Sequence, residues 1–360
     1  MQFMATITGE KWKKHKMENK KTVGFIGGKF LPFHLGHAYV ILAASNLVDE
    51  LYVVLSSSKN RDKELCARDG IKYMPAEVRL SWIGEFINDL ENIKLIHIED
   101  DHWDSDYDWE EGADMIKKAI GKPIDFVFSS ETSYGEFFKK YYPDSKHIVV
   151  DDKRKTVTIS ATAMRKSLYE HWEKLPNCVR AFFTKKVAII GTESCGKTTL
   201  AKKLAKFYNT KYFHEVGRDF CDKYSNQLTA EMFNFIAMEH LLLQRKKAEE
   251  CNKILFVDSD AVVTQYYFDM YYNGKKSELI EHIIKLQNYD LVIYLEPDIK
   301  WVADGTRFAG EEEVRKKNNE KLKKMFSDRG IEFISISGNY DERFNKARQL
   351  IDKLFEKTES

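Results

Sequence analysis

A chain of 360 residues with 43% hydrophobic side chains has room for roughly two or three ordinary domains and can bury a core in each, which excludes a disordered or collagen-like polymer. Its 57 Lys and Arg against 56 Asp and Glu leave a formal net charge of +1, so no global field draws it to nucleic acid or a membrane, and any anionic ligand must be held by local groups. Five scattered cysteines without a Cys-x-x-Cys pair read as reduced thiols, no apolar run is long enough to span a bilayer, and the basic N-terminus lacks the apolar stretch of a secretory signal, so a cytoplasmic protein is expected.

Short apolar runs alternate with longer helical stretches, the rhythm of βαβ units and a mostly parallel sheet. Strands are expected at 23–26, 51–55, 93–98, 125–128 and 147–150. The pattern then restarts, with strands at 187–190, 254–257, 291–295 and 332–336, and a helix from about Lys197. Between the two series, 168–186 contains Pro176 and reads as a helical connector. The expected division is a basic extension over 1–21, a Rossmann-like α/β domain over 22–167, the connector, and a second α/β domain over 187–360. The segment 316–324 reads as a solvated helix face.

The first strand runs into Gly24-Phe-Ile-Gly-Gly-Lys-Phe-Leu-Pro-Phe-His-Leu-Gly-His37. Gly27 and Gly28 let a phosphate approach the backbone, and Pro32 fixes a turn. If a helix begins at Leu35, His34 and His37 project from its first turn, where free N–H groups and the helix dipole favour an anion. Two buried, satisfied histidines would be the bland alternative. Further on, Thr158-Ile-Ser-Ala-Thr-Ala-Met-Arg165 opens another helix. Ser160 or Thr162 can cap it, and Arg165 at the positive end of a helix calls for an anion.

Val187-Ala-Ile-Ile-Gly-Thr-Glu-Ser-Cys-Gly-Lys-Thr198 is a complete P-loop, G-x-x-x-x-G-K-[ST], in its strand–loop–helix setting. Backbone N–H groups from Gly191, Thr192, Glu193, Ser194, Cys195 and Gly196 cradle the β-phosphate of ATP, Lys197 reaches the β and γ oxygens, Thr198 ligates Mg²⁺, and Thr199 follows at the helix start. Cys195 reads as a small filler. An apolar run ending in Asp258-Ser-Asp260 supplies the second acidic position: Asp258 is expected to orient Mg²⁺ or take a proton, while Asp260 can cap the next helix. Glu215 and Arg218 contact substrate or form a surface ion pair. Arg307, on a polar segment after the 291–295 strand, fits the lid of a small-molecule kinase, and Arg315 is a second candidate with a solvated face as its alternative.

The two early segments resemble the nucleotidylyltransferase superfamily: Lys29, Phe30, Pro32, His34, Gly36 and His37 match its first motif, and Ile159, Ser160, Thr162 and Arg165 its second. The implied reaction is adenylyl transfer, in which an acceptor phosphate attacks the α-phosphorus of ATP and pyrophosphate leaves, the histidines and arginine contacting the triphosphate with Mg²⁺ beside it. From about Thr22 onward the order of motifs, together with His171–Arg180 and Trp301-Val-Ala-Asp304-Gly-Thr-Arg307, resembles the bifunctional nicotinamide-nucleotide adenylyltransferase and ribosylnicotinamide kinase family, the NadR family. The resemblance implies that the second domain converts nicotinamide riboside to its mononucleotide (NMN) and the first converts NMN to NAD. Enterobacterial members carry an N-terminal helix-turn-helix. The twenty or so residues ahead of the first strand are too few for that unit, so repression and nucleic-acid binding are not expected.

A flat, cationic nicotinamide ring calls for aromatic faces and carboxylates. Trp103 or Trp109 offers a stacking face in an acidic segment that also reads as a solvated loop, and a metal site from His102, Asp100, Asp101 and Asp104 is the weaker reading of the same stretch. Tyr134 and Gly135, beyond the fourth strand, are candidates for adenine contacts. In the second domain Trp301 stacks on the riboside base or anchors a core, and Asp304 holds ribose hydroxyls. Alternatives are another kinase and adenylyltransferase pair, for example one acting on pantetheine derivatives, and a non-catalytic nucleotide sensor. A homo-oligomer is left open.

Overall fold

Strands whose residues are apolar without alternation are covered on both faces, and helices on either side of a parallel sheet provide that cover. The computed structural model describes residues 20–100, 108–153, 155–299 and 312–356. The chain divides into two units, Met1–Lys166 and Ser167–Ser360, each built on such a sheet.

In the first unit β1 (Val23–Gly28), β2 (Glu50–Ser57), β3 (Ile93–Glu99), β4 (Phe126–Ser129) and β5 (Lys146–Val149) lie in the order β3-β2-β1-β4-β5, every pairing parallel. The helices are α1 (Leu35–Ser45), α2 (Lys59–Arg68), α3 (Ala76–Ile87), α4 (Trp109–Ile120), α5 (Gly135–Tyr141) and α6 (Ala161–Lys166). Strand order reverses between β1 and β4, so the crevice at their carboxyl ends is where this architecture binds ligands. Gly24 makes that pairing possible: a Cβ there would lie 2.6 Å from the Phe128 ring.

The second unit opens with a 3₁₀ turn (Trp172–Lys174) and α7 (Asn177–Phe183). There follow β6 (Lys185–Ile190), α8 (Lys197–Phe207), β7 (Lys211–Phe213), α9 (Val216–Lys223), α10 (Ala230–Ala248), β8 (Ile254–Asp258), α11 (Ala261–Tyr271), α12 (Glu278–Leu286), β9 (Leu291–Leu295), α13 (Glu312–Ser327), β10 (Ile334–Ile336) and α14 (Tyr340–Glu356). The sheet is parallel, in the order β10-β9-β6-β8-β7. Along β6, Val187 and Ile189 enter one core and Ala188 and Ile190 the other, which is why the run does not alternate. Full burial of each large apolar side chain contributes about 1.5–3 kcal/mol.

The segment expected as a connector packs into this unit: Trp172 Nε1 donates to the Cys251 carbonyl (3.0 Å) and Tyr169 Oη to that of Phe183 (3.0 Å). The 316–324 stretch is mostly the solvated face expected, with an inward edge. It lies in α13, which turns Asn319, Leu322 and Phe326 inward and leaves most of its charges outside.

Candidate active sites

At the end of β1 the burial stops at Gly27, Gly28 and Lys29, and the chain turns into α1. Helix N-termini leave N–H groups without partners, usually capped by Ser or Thr at the N-cap with Glu three residues on. Here two histidines do both jobs. His34 Nδ1 accepts from the N–H groups of Gly36 (3.1 Å) and His37 (3.3 Å), and His37 Nδ1 accepts from that of His34 (3.4 Å). An accepting nitrogen carries no proton, so each neutral ring bears its hydrogen on Nε2. The rings stack with centroids 3.7 Å apart. Gly36 has to be glycine, because a Cβ would sit 2.9 Å from the His34 ring.

His34, Gly36 and His37 line a cleft with Ser160 and Thr162, as the two motifs predict, and with Ser130, Glu131, Val150, Asp151 and Val157, which sequence reading missed. Asp151 at φ +55 accepts from the N–H groups of Lys155, Thr156 and Val157 and so shapes the loop after β5. Ser160 Oγ accepts from the Ala163 N–H, a capping bond at the start of α6.

Several expected contacts fall elsewhere. Phe30 is buried and packs edge-on to His37 (5.0 Å), a wall behind the ring. Tyr134 and Gly135 do not line the cleft, because Tyr134 is drawn into an aromatic cluster with Trp109 (5.5 Å) and Phe138 (6.1 Å). Trp109 in turn stacks on Phe137 (4.2 Å). Arg165 does not open a helix; it lies in the last turn of α6, and the anion facing it is a side chain of this chain. It pairs with Asp69 (2.7 Å) and donates to the Leu31 carbonyl (2.8 Å) and Thr162 Oγ1 (3.3 Å). Burial works against the Asp69 carboxylate, but Arg68 and Arg165 outweigh it and hold the group below its usual range. Lys29 is anchored through its carbonyl by Arg79 (2.6 Å), whose other arm pairs with Asp62 (2.5 Å). Asp100 is buried against Arg61 (3.2 Å) and Ser56 (3.0 Å), which explains it without a metal, while 101–107, with Trp103 and the rest of that reading, lie outside the described residues.

In the second unit the P-loop joins β6 to α8. Gly191 has φ +147, and a Cβ there would come within 2.8 Å of Cys195 Sγ. Cys195 is a buried filler whose thiol burial pushes up, and it donates to the Thr192 carbonyl (3.0 Å), as does Lys197 Nζ (3.0 Å). Burial penalises the Lys197 ammonium, but surrounding negative groups, Glu215 and Asp258 among them, leave it above its ordinary value. The Thr198 hydroxyl donates to Asp258 Oδ2, while Asp258 Oδ1 is buried with no hydrogen-bond partner among the described residues. Burial first, then Glu215, pushes the Asp258 carboxyl up to about 6. A hydroxyl and a carboxylate with one unused oxygen are the donors a hard divalent cation takes. Asp260 caps α11 through the Val263 N–H (3.0 Å).

Residues Glu193 to Thr199 border a cavity of about 320 Å³ that also takes in Glu215 and Arg218. Its far wall was not anticipated: Leu228, Phe233, Ile236, His240, Tyr267 and Tyr271, from the loop before α10 and from α10 and α11. Half apolar and of nucleoside size, it suits a ribosylated ring. Arg315 is half-buried and donates to the Ile299 carbonyl (3.3 Å); Trp301, Asp304 and Arg307 lie outside the described residues.

Residues 25–175 match the cytidylyltransferase-like family and 186–343 an AAA domain family. The chain is similar to a crystal structure of NadR protein in complex with NR (TM-score 0.74, 24% identity, 93% of this chain and 96% of that one) and to one of NadR protein in complex with NAD and AMP-PNP (0.72, 24%, with the same coverage). These likenesses concern the fold. In sequence it is 31% identical over 345 residues to the trifunctional NAD biosynthesis/regulator protein NadR of Escherichia coli (strain K12), covering 93% of this chain and 84% of that protein. With both phosphate sites inside that span, the chain belongs to the NadR family.

Proposed function

We propose that this chain makes NAD in two ATP-dependent steps: the second unit phosphorylates nicotinamide riboside to NMN, and the first transfers the adenylyl group of another ATP to NMN with release of pyrophosphate. The observation that carries the reading is that one relative matches over 93% of the chain, a span that takes in both units with the histidine pair of the first and the P-loop cavity of the second.

In the kinase step the riboside hydroxyl oxygen bonds to the γ-phosphorus as the bond to the bridging oxygen breaks and ADP leaves. Lys197 and the P-loop N–H groups hold the phosphates. Thr198 and Asp258 would hold Mg²⁺, which when bound neutralises charge on the β and γ oxygens. Asp258 being engaged there, Glu215 is the cavity carboxylate we assign to receive the hydroxyl proton, with Arg218 beside it. Trp301, Asp304 and Arg307 remain lid and substrate candidates by resemblance. In the adenylyl step an oxygen of the NMN phosphate attacks the α-phosphorus and the α–β bridging bond breaks. No protein nucleophile is needed, only positioning and charge neutralisation. The Nε2–H groups of His34 and His37 and the Lys29 ammonium supply the latter, while Arg165 holds the turn in place through Leu31. Trp103 remains our candidate for the nicotinamide face, Trp109 being stacked on Phe137.

Among the described residues no helix is long and apolar enough to cross a membrane; a cytoplasmic location is part of the proposal, supported by five free cysteines. Riboside, ATP and Mg²⁺ should yield ADP, pyrophosphate and NAD, resolved by chromatography. Lys197→Ala should abolish NMN formation yet spare NAD formation from supplied NMN. Turnover of pantetheine derivatives alone would favour another kinase and transferase pair, and no turnover at all a nucleotide sensor.

A further inference from the structure

We propose that Arg79 is a positioning residue of the adenylyl step: with Asp62 as its counter-charge, it holds the Lys29 carbonyl and so sets the turn that delivers the Lys29 ammonium to the triphosphate. The inference rests on the adenylyltransferase reading and adds a residue that acts through the turn. Helix α3 buries Arg79, Trp82, Ile83 and Ile87, the i, i+3, i+4, i+8 face that a core-facing helix fills with apolar side chains. Arg79 is 0% exposed at that position, and so is Asp62 of α2. One arm of the guanidinium pairs with Asp62 Oδ2 (2.5 Å), and the other donates to the Lys29 carbonyl (2.6 Å). Asp62 is fixed on its own side, accepting from the Ser58 N–H at the start of α2 (3.3 Å) and from Arg61 Nε (3.4 Å).

The carbonyl that Arg79 holds stands beside a strained residue. Phe30 has φ +47, in the left-handed region, which a bulky side chain keeps only where its surroundings impose it. Buried arginines hold the carbonyls of both its neighbours: Arg79 that of Lys29, and Arg165 that of Leu31 (2.8 Å). Each arginine has its own buried aspartate, Asp62 for one and Asp69 for the other. A buried ion pair adds little stability over well-packed apolar side chains of the same volume. What the guanidinium supplies, and an apolar side chain cannot, is a charge-assisted donor at a fixed place beneath the Lys29 carbonyl. Without it the strained turn can relax, and the residue it displaces first is Lys29, whose ammonium the adenylyl step needs in register with the phosphates.

The test compares Arg79→Lys with the double variant Asp62→Asn, Arg79→Met in the full chain. Lysine keeps a charge opposite Asp62 but has no second arm for the Lys29 carbonyl, and the double variant removes both charges, leaving no lone buried carboxylate. In both, kcat for NAD formation from supplied NMN should fall about tenfold, as a small misplacement of a reacting group does, with the NMN KM and the kinase kcat and KM values at those of the parent. Placed on top of Lys29→Ala, Arg79→Lys should cost less than about twofold more, because it acts through that residue. An Arg79→Lys transferase kcat equal to the parent's, or the same loss repeated in full on Lys29→Ala, would overturn the positioning role while leaving the adenylyltransferase reading intact. Disappearance, in both variants, of the melting transition that NMN stabilises would make the pair a support of the fold and overturn it equally. A parent chain that forms no NAD from NMN would overturn the adenylyltransferase reading itself.

Discussion

His34 and His37 each accept a hydrogen bond from the other's backbone N–H, across rings stacked 3.7 Å apart. Nδ1 of each ring caps α1 and Nε2 is the nitrogen that carries the hydrogen, so cap and donor can be separated by mutation. Asn is among the best N-cap residues but does not place a donor where Nε2 lies. His34→Asn should therefore keep the melting temperature and lower NAD formation from NMN by about 10²–10³, the usual loss when a placed charge-stabilising donor is removed. His34→Ala should in addition lose about 1 kcal/mol of stability with the cap. NMN formation from riboside is the control in the same chain. If His34→Asn keeps more than a small fraction of transferase activity, the ring does not act on the phosphate.

Gly36→Ala probes the same pair from the backbone. The added methyl would lie 2.9 Å from His34 Cε1 and Nδ1, closer than such atoms approach, and the ring is the part that can give. Transferase kcat should fall by about tenfold or more, as sub-ångström misplacement of a reacting group commonly does, with kinase kinetics unchanged. Transferase kcat equal to the parent's would mean the ring position is not critical.

Both Rossmann-like rhythm and P-loop were legible because parallel strands write continuous apolar runs and phosphate loops demand glycine at set positions. The helix start at Leu35 was legible from the motif, but the role of histidine as a cap was not, since its side chain rarely serves there. Arg165 was misplaced on the helix because a six-residue helix has little periodicity to count. Its partner Asp69 lies 96 residues away, a separation that local pattern cannot bridge. Tyr134 and Trp109, assigned by sequence to different ligands, touch each other for the same reason. The far wall of the kinase cavity comes from α10 and α11, whose His240 and Tyr267 sit in apolar stretches and look like core.

Asp258 links pH to both activity and stability. Its folded-state value of about 6 stands above the ordinary 3.8, so the folded chain holds a proton that the unfolded chain has lost between roughly pH 4 and 6. A cation site needs the ionised form, so kinase turnover should fall as pH drops through about 6, on an acid limb attributable to this carboxyl. The stability sign is opposite: relative to a neutral side chain, Asp258 costs progressively more as pH rises from 4 to 6, and the full penalty stands above that. Asp258→Asn should lose NMN formation. Its melting temperature, measured without nucleotide or Mg²⁺, should improve relative to the parent as pH goes from 4 to 7. A difference that is flat across that range would contradict the buried, proton-retaining carboxyl.

His240 is the cavity residue whose role the sequence did not suggest. Its Nε2 lies 3.4 Å from the Asp258 backbone carbonyl, and burial pushes the ring down to about 4, so it is neutral at pH 7. A neutral ring that donates from Nε2 has an accepting Nδ1, and this Nδ1 is buried with no hydrogen-bond partner among the described residues. Leaving such an acceptor unmet costs about 1–3 kcal/mol, which a ligand recovers by donating to it. A riboside bearing hydroxyls and a carboxamide has such donors; the triphosphate has none. His240→Phe keeps a planar ring and removes the acceptor. The riboside KM should rise about tenfold, the equivalent of one neutral hydrogen bond, with the ATP KM unchanged and the melting temperature equal or higher. Because the parent ring does not titrate between pH 5.5 and 8, the riboside KM should carry no histidine step in that range. A step near the ordinary histidine value, or a rise in the ATP KM alone, would place His240 outside the riboside site.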